Sequence, residues 1–481
     1  MRQIIKRILS CAVLACLIGI SLSYLTGLME RKESRFKYEA FFSQKEDFDV
    51  LFMGSSHVVN AVFPMELWND YGIVSYNMGG HANQLAITYW VMKNALDHTT
   101  PKLMVIDGMH LNFNIKTGYD FSNIHISFDA FPFSATKMEA IRDLLDDEEM
   151  DKKMEEGETV GTELRTELGI LWDYSVYHSR WSELRGDDFS PDTSKEKGAE
   201  SRIAVGKPRE IVEIPSDSVL EEETLGMQYM RKMIEECQER GIEVLLVYLP
   251  FPPQEQDFKN ANRMYQIAEE YGVNYINFLD MDVVDYSTDC YDEGSHLNPS
   301  GARKVTDYLG QYIMDNYEIP DQRTNEAYDG WYDAYEEYKE FKTSNIREER
   351  ELDNYLMLLA DKDYDAMIEI LDPAIWKNEY YCNLFNNLGV DSTRITEKTD
   401  LLAVGQGGRT VNYFENFHEY GNWKDLYIEG ADFAAETPEN ADIHFIVMES
   451  GTGQSVDNVY FSFQTKDDMP DGTITAIGAE R

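Results

Sequence analysis

Basic charge is scarce in this chain. Its 481 residues carry 43 Lys and Arg against 88 Asp and Glu, a formal net charge of −45. With no basic patch there is no footprint for counterion release from phosphates, so a nucleic-acid partner is excluded. Such a surface favours solubility over adhesion to an anionic membrane face. Cysteine is scarce too. Cys11 and Cys16 lie in an N-terminal apolar run, while Cys237, Cys290 and Cys382 are scattered through the body. No Cys-x-x-Cys spacing occurs, which argues against a zinc ribbon or a dithiol redox motif. Three body cysteines do not make a disulfide framework, and buried free thiols are expected. Repeats and low-complexity tracts are missing as well. What is present, 43% apolar and 27% charged residues, is a globular composition long enough for two or three domains.

Ile8 to Met29 is a run of 22 residues without a charge, flanked by Arg2, Lys6 and Arg7 before it and Arg31, Lys32, Arg35 and Lys37 after it. As a helix it would span roughly 33 Å, enough for a bilayer core of about 30 Å. A cleaved signal peptide is the rival, but the run is longer than a usual apolar signal region and lacks an Ala-x-Ala site. An uncleaved anchor is therefore expected over residues 1–29, with a charged juxtamembrane link over 30–45. Lys and Arg are balanced across the run and do not orient it.

Strands and helices then alternate. Asp49–Met53, Ile73–Asn77, Lys102–Ile106, Glu243–Leu249 and Asn274–Phe278 read as short buried strands, apolar without helical period. Between and after them, Pro64–Tyr71, Gln84–Leu96, Glu221–Arg240, Asn260–Tyr271 and Pro299–Tyr317 read as helices, several closed by Gly. This alternation predicts a parallel sheet covered by helices over residues 46–320. Residues 107–214 interrupt it as an insertion expected to form a cap or a substrate-facing lobe. It holds an acidic helix around Lys137–Glu156 and an aromatic cluster of Trp172, Tyr174, Tyr177, His178 and Trp181. Residues 321–349 read as an acidic linker or exposed helix. Residues 350–481 read as a small α+β or mostly β domain, with strands at 366–371, 444–448 and 459–463.

Two segments carry chemistry. Gly54-Ser55-Ser56-His57 follows the first buried strand, at the sheet edge where ligands bind in open α/β folds. A serine there presents its hydroxyl beside the free N–H groups of a helix start. Asp292-Glu293-Gly294-Ser295-His296 precedes the last helix of the domain. An acid just ahead of a histidine holds the imidazole so that its other nitrogen takes a serine proton. Alone, the first segment reads better as a Ser-rich turn capping the next helix, and the second could be a solvated loop. Together, about 240 residues apart at the two ends of one α/β pattern, they are far more specific.

The pair resembles the SGNH/GDSL hydrolase superfamily, which places its nucleophile in Gly-x-Ser after the first strand and an Asp–His pair near the domain's end. The resemblance covers roughly residues 46–320 and implies an SGNH-type (flavodoxin-like) α/β fold. Gly-Ser-Ser-His in place of Gly-Asp-Ser-Leu, with an N-terminal anchor, is similar to the envelope branch of lipoteichoic-acid D-alanylation and alginate-type O-acetyltransferase proteins. It implies Ser56 as nucleophile, His296 as general base and Asp292 as the acid orienting it, with Glu293, at the family's usual offset, as the alternative acid. It further implies an oxyanion hole from the Ser56 and Gly79 N–H groups. The family's third block is not legible after the third strand, so Asn83, His110 or Asn112 is the remaining side-chain donor, with Asn83 preferred. The implied activity is O-acyl transfer to a cell-envelope glycan or teichoic-acid-like polymer. A hydrolytic carbohydrate esterase and a non-catalytic glycan-binding protein are the alternatives. A membrane-bound O-acyltransferase partner and an extracytoplasmic body are implied with it. No metal or organic cofactor is expected, since nucleophile and base are side chains.

Overall fold

The computed structural model describes residues 2–29, 32–162, 165–171, 180–182, 184, 195–206, 217–292, 296–405, 408–417, 441–465 and 474–480. It opens with α1 (Arg2–Met29), a helix long and apolar enough to cross a membrane, whose most apolar stretch is not buried by any of the described residues. A second helix, α2 (Lys32–Ser43), starts almost at once. The stretch expected to be a charged link is thus a helix with one buried face. Tyr38 and Phe41, three apart and so on one side, enter the core together with Lys37. Phe41 stacks on Phe48 with ring centroids 5.1 Å apart and meets the edge of Tyr76 at 5.2 Å.

The strands β1 (Val50–Met53), β2 (Ser75–Asn77), β3 (Leu103–Asp107), β4 (Glu243–Tyr248) and β5 (Asn274–Asn277) form one parallel sheet in the order β2-β1-β3-β4-β5. Leu51 pairs with Tyr76 on one side and Met104 on the other, and Met104 pairs with Val244. Alternate side chains serve two cores, as a sheet covered on both faces requires. Val50, Phe52, Leu103 and Val105 face α3 (Ser56–Ala61), α4 (Pro64–Tyr71) and a later helix; Leu51, Met53, Met104 and Ile106 face α2 and α5 (Leu85–Leu96). The order makes the gap between β1 and β3 the switch point, where connections leave to opposite faces and a crevice opens beyond the strand ends.

The insertion after β3 is less of a separate lobe than expected. Its helices α6 (Ile124–Phe128), α7 (Ala135–Leu145), α8 (Glu148–Glu156) and α9 (Glu167–Leu171) send Ile124, Phe128, Ile141, Leu144, Met150 and Ile170 into the same core as α5. The single acidic helix expected here is two. Asp147 caps the second one by accepting from Met150 N–H, which breaks the run. Trp172, Tyr174, Tyr177 and His178 lie outside the described residues. Trp181 is exposed, on a short turn whose Arg180 donates to the Met29 carbonyl at the end of α1.

The sheet is completed by α10 (Leu225–Glu239), α11 (Glu255–Tyr271) and α12 (Pro299–Asn316). The stretch expected to be an acidic linker or an exposed helix holds a 19-residue helix, α13 (Gly330–Glu348), with a buried side. Its Trp331 and Tyr338 join the first core and its Ile346 a second one. That second core lies between α14 (Leu352–Leu359), α15 (Glu379–Asn387) and one face of an antiparallel sheet. The sheet consists of β6 (Tyr364–Ile370), β7 (Thr399–Gly405), β8 (Thr410–Glu415), β9 (Ile443–Glu449), β10 (Ser455–Thr465) and β11 (Ile474–Glu480), in the order β11-β10-β9-β6-β7-β8. The three strands expected there are present; β7, β8 and β11 were not legible. A buried ionic cluster joins the two units. Lys342 Nζ on α13 lies 2.9 Å from Glu66 on α4, 3.0 Å from Asp361 and 2.6 Å from Asp363, and Arg303 on α12 pairs with Asp361 at 3.3 Å.

Candidate active site

The chain leaves β1 at the switch point through Gly54. A Cβ here would come within 2.5 Å of Val58 Cγ2 and 3.0 Å of Asp107 Cβ, so only glycine lets this turn pass so close to the end of β3. Ser55 caps α3, its Oγ accepting from His57 N–H. Ser56 is therefore the first helical residue. Its N–H has no partner among the described residues, as expected in the first turn of a helix.

The second segment is brought to it from 240 residues away. Cys290 and Leu297 pair as an antiparallel bridge, and Tyr291 N–H donates to the His296 carbonyl at 3.1 Å, which holds His296 beside residues 290–292. Asn298 then caps α12 by accepting from Ser300 and Gly301 N–H, with Pro299 at the first position. Buried Asp289 braces the base of the loop, accepting from Ser300 Oγ at 2.9 Å and Lys304 Nζ at 2.6 Å. From the second unit, Asn387 Nδ2 donates to Thr288 Oγ1 at 2.8 Å.

This construction places Ser56 Oγ 2.8 Å from His296 Nε2, and His296 Nδ1 2.7 Å from Asp292 Oδ2. Asp292 Oδ1 also accepts from His296 N–H at 3.1 Å. A carboxylate only accepts, so Nδ1 carries a proton toward Asp292, and it is the tautomer with Nε2 unprotonated that presents a lone pair to the serine hydroxyl. The three residues expected as nucleophile, base and acid are thus in hydrogen-bonded sequence. Glu293, the alternative acid, lies outside the described residues. Tyr291 stacks on His296 with centroids 5.4 Å apart, and His57 sits 5.0 Å away, edge-on to Phe251. Burial, then the neighbouring His296 and His110, hold His57 well below the ordinary histidine range. It is a neutral wall of the site.

The oxyanion donors come out differently from expectation. Gly79 lies against Ser55 and α3, but its N–H donates to Asn77 Oδ1 at 3.1 Å, and Gly80 N–H donates to Gly54 O at 3.0 Å. The Gly79 amide is taken up by the Asn77 side chain, a residue within reach two positions earlier. Asn112 Oδ1 accepts from Asn260 Nδ2 at 3.1 Å, a contact that leaves the Asn112 amide hydrogens unused. Asn83 is the fully buried candidate. Its Oδ1 accepts from Ser127 Oγ at 2.8 Å, while its Nδ2 is buried without a partner among the described residues. His110, another candidate donor, supports Asn83 by donating from Nδ1 to its backbone carbonyl at 3.0 Å. Burial holds His110 below its usual range. Ser56 N–H and the buried Asn83 Nδ2 are donors left without a partner among the described residues.

Two buried groups escaped the sequence reading. Asp107, the last residue of β3, lies beneath Gly54 and accepts from Leu249 and Met109 N–H, each at 3.2 Å; burial pushes its carboxyl up to about 7. An acid ending an otherwise apolar strand at the switch point was the one signal that could have found it. Lys37, from α2, donates to Gly79 O at 2.5 Å and to Gly198 O at 2.7 Å. Burial brings it down to about 7, against the opposing pull of Glu200. Its place among the charges around α2 gave no sign of this.

A serine hydroxyl facing an imidazole lone pair, an imidazole held by a carboxylate, and unpaired N–H donors nearby are the parts of nucleophilic acyl chemistry. No family model matches the chain, and no curated protein matches it.

Proposed function

We propose that the chain is an SGNH-type serine acyl-ester enzyme of the cell envelope, anchored by α1, which transfers an O-acyl group to a glycan or teichoic-acid-like polymer. The observation that carries the chemistry is the sequence of contacts Ser56 Oγ–His296 Nε2–Nδ1–Asp292 Oδ2, at 2.8 and 2.7 Å. The candidate membrane helix supports the location. The polymer acceptor, the choice of transfer over hydrolysis, and a membrane-bound O-acyltransferase as source of the acyl unit rest on the resemblance of Gly-Ser-Ser-His and Asp-x-x-x-His to that superfamily. So does the orientation, N-terminus inside and body outside.

In this mechanism Ser56 Oγ attacks the acyl carbonyl carbon as its proton passes to His296 Nε2. Negative charge gathers on the carbonyl oxygen, met by Ser56 N–H and Asn83 Nδ2. Collapse expels the donor's oxygen or sulfur, which takes the proton back from Nε2, and leaves the acyl group as an ester on Ser56. The acceptor hydroxyl then gives its proton to Nε2 and attacks the same carbon. Ser56 leaves, reprotonated, and the polymer carries the ester. Asp292 holds the imidazolium form of His296 in both halves.

The test is release of p-nitrophenol from p-nitrophenyl acetate by the whole chain in detergent, beside Ser56→Ala and His296→Ala. Loss of turnover in both variants is expected. Equal rates in all three proteins would refute the proposal.

A further inference from the structure

We propose that Lys37 is a positioning residue, through which the helix next to the membrane anchor holds the loop that carries the oxyanion donor; this rests on the ester chemistry proposed above. Lys37 follows the end of α1 by eight residues, yet its side chain is inside the domain, 6% exposed. An apolar side chain would dock α2 with no desolvation cost, whereas a buried amine is costly unless its donors meet acceptors. Those acceptors are the carbonyls of Gly79 and Gly198. In the other direction, Tyr76 Oη donates to the Lys37 carbonyl at 2.5 Å, so the residue is fixed at both ends.

The Gly79 carbonyl is not an arbitrary anchor. The peptide linking Gly79 to Gly80 is clamped on both sides, its C=O by Lys37 and its N–H by Gly54 O at 3.0 Å. Gly54 begins the turn that delivers Ser56. Three residues further on, Asn83 N–H donates to Gly80 O at 3.1 Å. One lysine contact thus bears on the nucleophile turn in one direction and the Asn83 amide in the other. The space is tight. A Cβ at Gly79 would lie 2.9 Å from Ser55 O and 3.0 Å from Val59 N, so loop and turn touch through bare backbone.

The loop does not hold this shape by local preference. Ala82 (φ 58°), just before Asn83, and His110 (φ 68°), which bonds its carbonyl, both sit in the left-handed region that residues with a side chain rarely enter. Such conformations persist only when surroundings over-determine them, and they gather at functional sites. The same helix supplies a second hold. Tyr38 lies beside the Ser127 hydroxyl, which donates to Asn83 Oδ1. Without Lys37 the Gly79 carbonyl loses its clamp, the loop relaxes, and Asn83 Nδ2 is no longer pre-set for the oxyanion.

The experiment compares the whole chain in detergent with Lys37→Met and Lys37→Arg, using p-nitrophenyl acetate. Rates are expressed per active site from the end-point stoichiometry of a fluorophosphonate label. For Lys37→Met the expected result is a kcat per labelled site at least tenfold lower, with KM within twofold. In an Asn83→Ala background the same substitution should cost less than threefold, because the donor it positions is already gone. Activity that falls only in proportion to the labelled fraction, or an undiminished loss in the Asn83→Ala background, would overturn the proposal. Should Lys37→Met not fold, Lys37→Arg decides by the same measure: kcat per site lowered at constant KM supports it, and kcat per site unchanged overturns it. Absence of Ser56-dependent turnover in the unaltered chain would instead refute the site reading beneath it.

Discussion

Replacing Asp292 by Asn removes one charge and almost no volume, and its effect on the base can be worked out from the hydrogen bonds. Asp292 accepts from His296 twice, from ring Nδ1 through Oδ2 and from the backbone N–H through Oδ1. A carboxamide has one accepting oxygen. If that oxygen keeps the backbone N–H, its NH2 faces Nδ1 and stabilises the tautomer with the proton on Nε2, the nitrogen 2.8 Å from Ser56 Oγ. The base then has no lone pair to offer. In the serine-protease triad the same exchange costs about 10⁴ in kcat, or roughly 5.5 kcal/mol of barrier. A drop of that order is expected here, with the fold retained. The assay is saturation kinetics on p-nitrophenyl acetate at several pH values, beside Glu293→Gln. Asp292→Asn within threefold of the unaltered protein, with Glu293→Gln inactive, would refute the assignment and make Glu293 the orienting acid.

Asn83→Ala should lower kcat by about 10² to 10³ with little change in KM, as loss of one oxyanion donor does; steady-state kinetics checks this. Asp107 has its carboxyl raised to about 7 by burial, so between about 4 and 7 the folded state holds a proton the unfolded chain has released. Its contribution to stability is therefore lost as pH rises through that window, by up to about 4 kcal/mol. Urea unfolding of the unaltered protein and Asp107→Asn from pH 5 to pH 8 should give a difference between the two that shifts in favour of the variant with rising pH. Lys342→Met leaves Glu66, Asp361 and Asp363 without the cation that joins them. Denaturant unfolding should show a loss of about 3–5 kcal/mol, the usual result of breaking a buried pair from one side.

The catalytic candidates were legible because each announces itself locally. Ser56 follows an apolar strand and a glycine, and His296 precedes an Asn-Pro helix start. The parallel sheet was legible for the same reason, since strands buried on both faces read as short apolar runs. What stayed hidden is set by contacts far along the chain. Lys37 looks solvated among Arg31, Lys32, Glu33, Arg35 and Glu39, and only carbonyls 42 and 161 residues away turn it inward. The Gly79 amide looked open, because nothing in Asn77-Met78-Gly79 says that the Asn77 side chain will fold back on it. The charges of α13 suggested a linker or an exposed helix, yet Trp331, Tyr338 and Ile346 bury one side of it between two cores. β7 and β8 alternate weakly, and β8 is mostly exposed, so neither carries the apolar run that marked the central sheet.

The most direct measurement is the site of covalent labelling by a fluorophosphonate, mapped by peptide mass on the whole chain. One phosphonylated serine, Ser56, is predicted, with labelling abolished in Ser56→Ala and slowed in His296→Ala. No label, or a label on another serine that survives Ser56→Ala, would contradict the assignment of Ser56 as nucleophile.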